Sequence, residues 1–163
     1  MNNQRFSDET SEWESRIVSS PMSITDLPEV VEIELTTIYS PWSGEMFRKE
    51  IESRNPGLKT FRFKSQLIGY FCFWRVLNEA HLLNLTLHAD FRGKGLGRFL
   101  MRNLEQTCNE MEISKILLEV AETNFVAIKL YKNFGFVKVG IRKKFYQETG
   151  DDAILMEKRL QRG

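Results

Sequence analysis

The stretch that most limits how this chain can fold is an apolar run, Leu82 to Leu87, followed shortly by Arg92-Gly93-Lys94-Gly95-Leu96-Gly97 and then by an amphipathic segment. An apolar strand that opens into a glycine-rich basic loop and then a helix makes a phosphate cradle. Glycines let backbone N–H groups approach an anion, and the helix start adds the positive end of its dipole. The helix is expected from Gly95 to about Met111, because Leu96, Leu100, Leu104, Cys108 and Met111 fall on one stripe. Two look-alikes fail. A P-loop needs Gly-Lys followed by Ser or Thr, whereas Gly95 follows Lys94; a dinucleotide fingerprint needs a third glycine where Arg98 stands. A plain strand-to-helix turn is the alternative reading.

The rest of the chain reads as alternating elements. Residues 1 to 16 are polar and are expected to form a disordered extension, with a single domain over residues 17 to 163. A short strand is expected from Ile17 to Met22. Thr25 or Asp26 then caps a helix carrying Leu27, Val30, Val31 and Ile33, and Ser43 caps another with Met46, Phe47 and Ile51. Asn55-Pro56-Gly57 reads as a turn. Strands follow over Thr60 to Lys64, Leu67 to Leu77 and Ala80 to His88, with hairpin turns marked by Gln66 and by Asn78-Glu79. Beyond the loop and its helix, Ile116 to Val120 is a continuous apolar run, as buried parallel strands are. Asn124 to Phe134 is a helix stopped by Gly135, and Phe136 to Tyr146 with Ala153 to Lys158 form a final hairpin. The order implies an α/β mixed sheet with helices on both faces.

Bulk properties narrow the function classes. The formal net charge is +1, which marks neither a general nucleic-acid binder nor a membrane-surface protein. No apolar run approaches the roughly 20 residues of a membrane span. The N-terminus carries no signal-peptide pattern, so a cytoplasmic protein is expected. Cys72 and Cys108 read as buried, reduced thiols, and His81 and His88 as structural residues of one strand, so no metal site is expected.

Three residues beyond the loop can carry chemistry. Glu119 ends an apolar strand; in a cleft, partial burial would raise its pKa and make it a general base, and otherwise it is a solvated or ion-paired strand end. Tyr131 beside an apolar helix stripe is either a core tyrosine or a phenol that donates a proton. Asn124 is accounted for as an N-cap.

Arg92, Gly95 and Gly97 in the pattern Arg-x-x-Gly-x-Gly resemble the pyrophosphate loop of the GNAT superfamily of N-acetyltransferases, and the likeness extends further. Leu118-Glu119-Val120, Asn124, Ala127-Ile128, Leu130-Tyr131 and Phe134-Gly135-Phe136 resemble its distal half. Together with Asp26-Leu27, Ile33-Glu34, Pro41-Trp42-Ser43, the tail Arg142 to Tyr146, Asp151-Asp152-Ala153 and Met156, they are similar to the bacterial ribosomal-protein alanine N-acetyltransferases, over about Ile17 to Leu160. The chain departs from that pattern where Phe145-Tyr146-Gln147 replaces the frequent Tyr-Tyr-Pro.

The resemblance implies a GNAT-like, mostly antiparallel sheet with one splayed parallel strand pair. It implies acetyl-CoA as co-substrate, no metal, and a protein N-terminus as acceptor, in particular the N-terminal alanine of a small-subunit ribosomal protein. A monomer or weak dimer is expected. Glu119 would accept a proton and Tyr131 would donate one. The backbone of Leu85, Thr86 and Leu87 would pair with the pantetheine arm, with an oxyanion donor near Leu87. Arg92, Gly93, Lys94, Gly95, Leu96 and Gly97 would hold the pyrophosphate, and Asn124 would also reach the cofactor. Trp42, Phe145 and Tyr146 would line the peptide groove. A transferase for lysine or a small amine, and a non-catalytic acyl-CoA module, are the alternatives.

Overall fold

The computed structural model describes residues 12 to 37 and 39 to 161. Seven strands make one sheet: β1 (Ile17–Pro21), β2 (Leu58–Phe63), β3 (Gln66–Val76), β4 (Glu79–Leu87), β5 (Lys115–Ala121), β6 (Val137–Arg142) and β7 (Ala153–Arg159). Their order is β1-β2-β3-β4-β5-β7-β6, antiparallel throughout except for the parallel pair β4–β5. Among the described residues, four helices of eight residues or more flank it: α1 (Leu27–Glu34), α2 (Gly44–Glu52), α3 (Leu96–Glu110) and α4 (Phe125–Asn133). The mostly antiparallel mixed sheet with one parallel strand pair expected from the sequence is the one observed.

The sheet has a core on each face. Leu96, Leu100, Met101, Leu104 and Cys108 of α3 and Tyr131 of α4 pack on Phe61, Phe71, Phe73, Leu82, Ile116 and Leu118. On the other face Leu27, Val30 and Ile33 of α1 and Phe47 of α2 pack on Leu58, Tyr70 and Cys72. Burial pushes both cysteine thiols up to about 12, so they stay protonated.

Several boundaries differ from the sequence reading for local reasons. The first hairpin turn is Lys64-Ser65, both residues in the left-handed region, and Gln66 already belongs to β3. Leu77 turns the next hairpin at φ 56°, which leaves Glu79 in β4. Strand β6 stops at Arg142 rather than Tyr146, because Lys144 turns left-handed and its N–H donates to Asp152. His88 lies past β4, where its Nδ1 accepts from the Asp90 N–H. The extension expected over residues 1 to 16 lies outside the described residues up to residue 11. Its remainder is not an unstructured lead: residues 12 to 15 form a helical turn, and Trp13 stacks on Phe63 with centroids 4.7 Å apart.

One irregularity prepares the site. Strand β4 pairs with β5 only from Glu79–Lys115 to Leu82–Leu118. At that point the register of β3 against β4 slips, with Phe73 opposite Leu82 but Cys72 opposite Asn84. Leu83 is the extra residue. A bulge bends and twists its strand, so β4 turns away from β5, which goes on pairing with β7 as far as Ala121.

Candidate active site

The divergence of β4 and β5 opens a cleft of about 580 Å³. Trp42, Leu85, Thr86, Glu119, Asn124, Tyr131, Phe145 and Tyr146 all line it, so eight of the residues singled out in the sequence come together. Leu87 and the loop from Arg92 to Gly97 stand outside that lining. The start of α3 is nevertheless close to it. A Cβ on Gly97 would sit 3.3 Å from Leu130 of α4 and 4.0 Å from Leu87 of β4.

Each side chain is held by its element. Alternation along β5 sends Leu118 and Val120 into the α3 core and turns Glu119 to the other face. Glu119 is part-buried in the cleft wall and is ion-paired, one of the two readings its sequence position left open. About a third of its side chain is exposed, and Oε1 lies 3.1 Å from Arg142 Nη1. On β7, between them, Ala153 pairs with Arg142 and Leu155 with Glu119.

Tyr131 sits in the last turn of α4, buried, with its ring against Phe136 at 5.6 Å. Burial, with Tyr146 nearby, raises its pKa well above the ordinary phenol value, so the hydroxyl keeps its proton at neutral pH. Burial first, then Glu119 and Tyr39, push the Tyr146 phenol up to about 12. Asn124 is the N-cap of α4, its Oδ1 accepting from Ala127 N–H at 3.3 Å. Trp42 packs on Phe47 at 5.0 Å, and Phe145 meets Tyr146 edge to face.

The loop leaves the start of α3 without a side-chain cap. Gly95 is the N-cap of α3 at φ 79° and provides no side chain to bond the first helical N–H groups. Gly93 is also left-handed, at φ 74°, and a Cβ there would meet nothing within 4 Å. Free N–H groups and open space therefore face outward together. Leu96 contributes only backbone here, since its side chain is buried in the core. The Arg92 guanidinium is tied back, its Nε donating to the Leu87 carbonyl at 3.1 Å.

Sequence reasoning gave no place in the site to three residues. Glu34 lines the cleft from the end of α1 and is almost fully buried. Its Oε1 accepts from the Tyr70 hydroxyl at 2.6 Å and Asn84 Nδ2 at 2.8 Å, and its Oε2 from the Trp42 N–H at 2.8 Å. One carboxylate thus ties α1, β3, the β4 bulge and the loop before α2 together. The sequence signal was there: Glu34 falls on the stripe of Leu27 and Val30, where an acid has no reason to be unless bonded. Tyr39, whose hydroxyl is 2.8 Å from Thr123 Oγ1, and Arg142 left no such signal, because their partners are distant in the chain. Among the described residues no group of three His, Cys, Asp or Glu side chains is placed to hold a metal ion, and no helix is long and apolar enough to cross a membrane.

Known proteins share this arrangement. The model of the acetyltransferase (GNAT) family matches residues 27 to 136. A ribosomal protein bS18-alanine N-acetyltransferase of Escherichia coli is 32% identical over 143 residues, covering 84% of this chain and 93% of its own. The crystal structure of the Escherichia coli ribosomal-protein-alanine N-acetyltransferase superposes with a TM-score of 0.80 over 90% of this chain and 96% of its own, at 27% identity. The structure of yncA from Salmonella typhimurium with its cofactor acetyl-CoA shares the fold, with a TM-score of 0.75 over 91% and 96% at 18% identity. A strand pair parted by a bulge, a side-chain-free cradle at the start of α3 and a family match spanning most of the domain agree: the chain belongs to the GNAT family of acetyltransferases.

Proposed function

We propose that this protein transfers the acetyl group of acetyl-CoA to the N-terminal alanine of ribosomal protein bS18, acting in the cytoplasm as a monomer or weak dimer. The observation that carries the reading is the parted strand pair, with a phosphate cradle at one end and Glu119 and Tyr131 facing one cleft. The substrate named for the Escherichia coli relative supports the choice of acceptor.

Acetyl-CoA supplies an acyl group activated as a thioester. The residues of this chain do the rest. Backbone N–H groups of Arg92 to Gly97 bind the diphosphate, and Leu85 to Leu87, past the point where β4 leaves β5, pair with the pantetheine arm. Asn124 borders the same path. Trp42, Phe145 and Tyr146 hold the acceptor chain. The Glu119 carboxylate takes a proton from the acceptor ammonium, directly or through a water, with Arg142 on its Oε1 and its Oε2 left for the substrate. The amine nitrogen then bonds the acyl carbon as the carbon–sulfur bond breaks, the Tyr131 hydroxyl gives its proton to the sulfur, and the second proton shed by the new amide nitrogen returns to the Tyr131 phenolate through water. An α-amine suits this base. Its pKa near 8 lies roughly 2.5 units below that of lysine, so deprotonation at neutral pH costs about 3.4 kcal/mol less.

The test is kinetic and chemical. Glu119→Gln is expected to lower kcat/KM on an N-terminal alanine peptide by about 10²- to 10⁴-fold and to spare acetyl-CoA binding. Tyr131→Phe is expected to act mainly on kcat. Full activity of both variants would reduce these residues to structural roles. Turnover of free lysine or small amines in preference to the peptide would replace the acceptor assignment.

A further inference from the structure

The segment ahead of β1 touches the phosphate loop. Trp13 stacks flat on Phe63, the last residue of β2, at 4.7 Å and an interplanar angle of 2°. It also meets Phe91 edge-on at 6.1 Å, and Glu14 is ion-paired with Arg102 of α3. These contacts fix the indole beside the cradle. The Lys94 ammonium then lies over the Trp13 ring at 5.1 Å and over the Phe91 ring at 5.9 Å. Lys94 stands between the two left-handed glycines of the loop. A lysine there, with a four-carbon stem and no carboxylate partner among the described ion pairs, would otherwise sample many rotamers in solvent.

We infer that Trp13 is a positioning residue for the cofactor: with Phe91 it forms an aromatic seat that holds the Lys94 ammonium at the rim of the cradle, ready for a phosphate of the bound nucleotide. The inference rests on the reading that this loop holds the coenzyme A diphosphate. The physical case is preorganisation. Two ring faces attract the cation electrostatically without neutralising it, so its full charge remains for the anion. The side chain is ordered before binding, and less rotamer freedom is lost when the phosphate arrives. An acidic partner at the same place would order the lysine too, but would repel the ligand. The N-terminal segment therefore supplies a residue to a site that the rest of the domain builds.

The experiment is a double-mutant cycle read by isothermal titration of acetyl-CoA into the full chain, with thermal melts as a check on folding. Trp13→Ala is expected to weaken binding by about two- to fivefold, the range of an exposed cation–π contact, and Lys94→Ala by at least as much, since it removes the charge itself. The double variant is expected to bind no worse than Lys94→Ala alone, because Trp13 acts through the lysine. Trp13→Phe, which keeps the stack on Phe63 with a weaker cation site, is expected to fall between wild type and Trp13→Ala, and it serves should the alanine variant fail to fold. Unchanged affinity in a folded Trp13 variant, or losses that multiply in the double variant, would overturn the inference. If wild type itself takes up no acetyl-CoA, the reading of the loop is what fails, and the seat falls with it.

Discussion

Replacing Glu34 tests the central structural claim, that one buried carboxylate organises the cleft. It accepts three hydrogen bonds, from Tyr70, Asn84 and Trp42, and is itself about 2% exposed. In Glu34→Ala all three donors lose their acceptor. The Trp42 N–H lies on a loop and can turn to water, but Tyr70 is fully buried and Asn84 partly so. Two bonds to a charged acceptor, at about 1.5–3 kcal/mol each, less the recovered desolvation of the carboxylate, give a loss of about 3 kcal/mol. At about 2–4 °C per kcal/mol for a chain of this length, Tm should fall by about 6–12 °C. Glu34→Gln separates the bonds. Its one carbonyl oxygen can stand in for Oε1 and keep Tyr70 and Asn84, but its amide then faces the Trp42 N–H donor to donor. A single lost bond of about 1.5 kcal/mol predicts a drop of about 3–6 °C and a loosened Trp42. The assay is calorimetric melting of the two variants and wild type, with the KM for an N-terminal alanine peptide measured beside it. Equal Tm for the two variants, or an alanine variant within about 1 °C of wild type, would refute the reasoning.

Two further outcomes are expected. Tyr146 has a folded pKa pushed up from 10 to about 12, so its contribution to stability is complete below pH 10 and is lost as pH rises towards 12. Denaturant melts between pH 9 and 12 should show stability falling by up to about 2 kcal/mol more in wild type than in Tyr146→Phe, and parallel curves would remove the claim. Gly95→Ala should weaken acetyl-CoA binding tenfold or more at a cost in stability of about 1–2 kcal/mol. The new methyl adds left-handed strain at φ 79° and intrudes on the cradle; unchanged affinity by titration would show that the anion is held elsewhere.

Much of the fold was written in local patterns. The stripe of α3, the Ser43 and Asn124 caps and the continuous run of β5 each appear in the structure where their spacing put them. Errors fell at turns. Lys64-Ser65 and Leu77 adopt left-handed conformations without glycine, which short-range propensity does not announce. Glu119 was identifiable as a strand-end acid, but its ion pair was not, since Arg142 reaches it across β7.

By itself, the order of residues determined the loop, the helix behind it and the placing of an acid and a phenol on successive elements, because each depends on neighbours a few positions away. Tertiary structure alone decided that β4 leaves β5 at the Leu83 bulge, that Glu34 gathers donors from three other elements, and that Trp13 seats Lys94. Those contacts join residues 8 to about 80 positions apart, and their energies exist only once packing brings the partners within a few ångströms; a local pattern can mark Glu34 as an acid in need of partners, but it cannot name them.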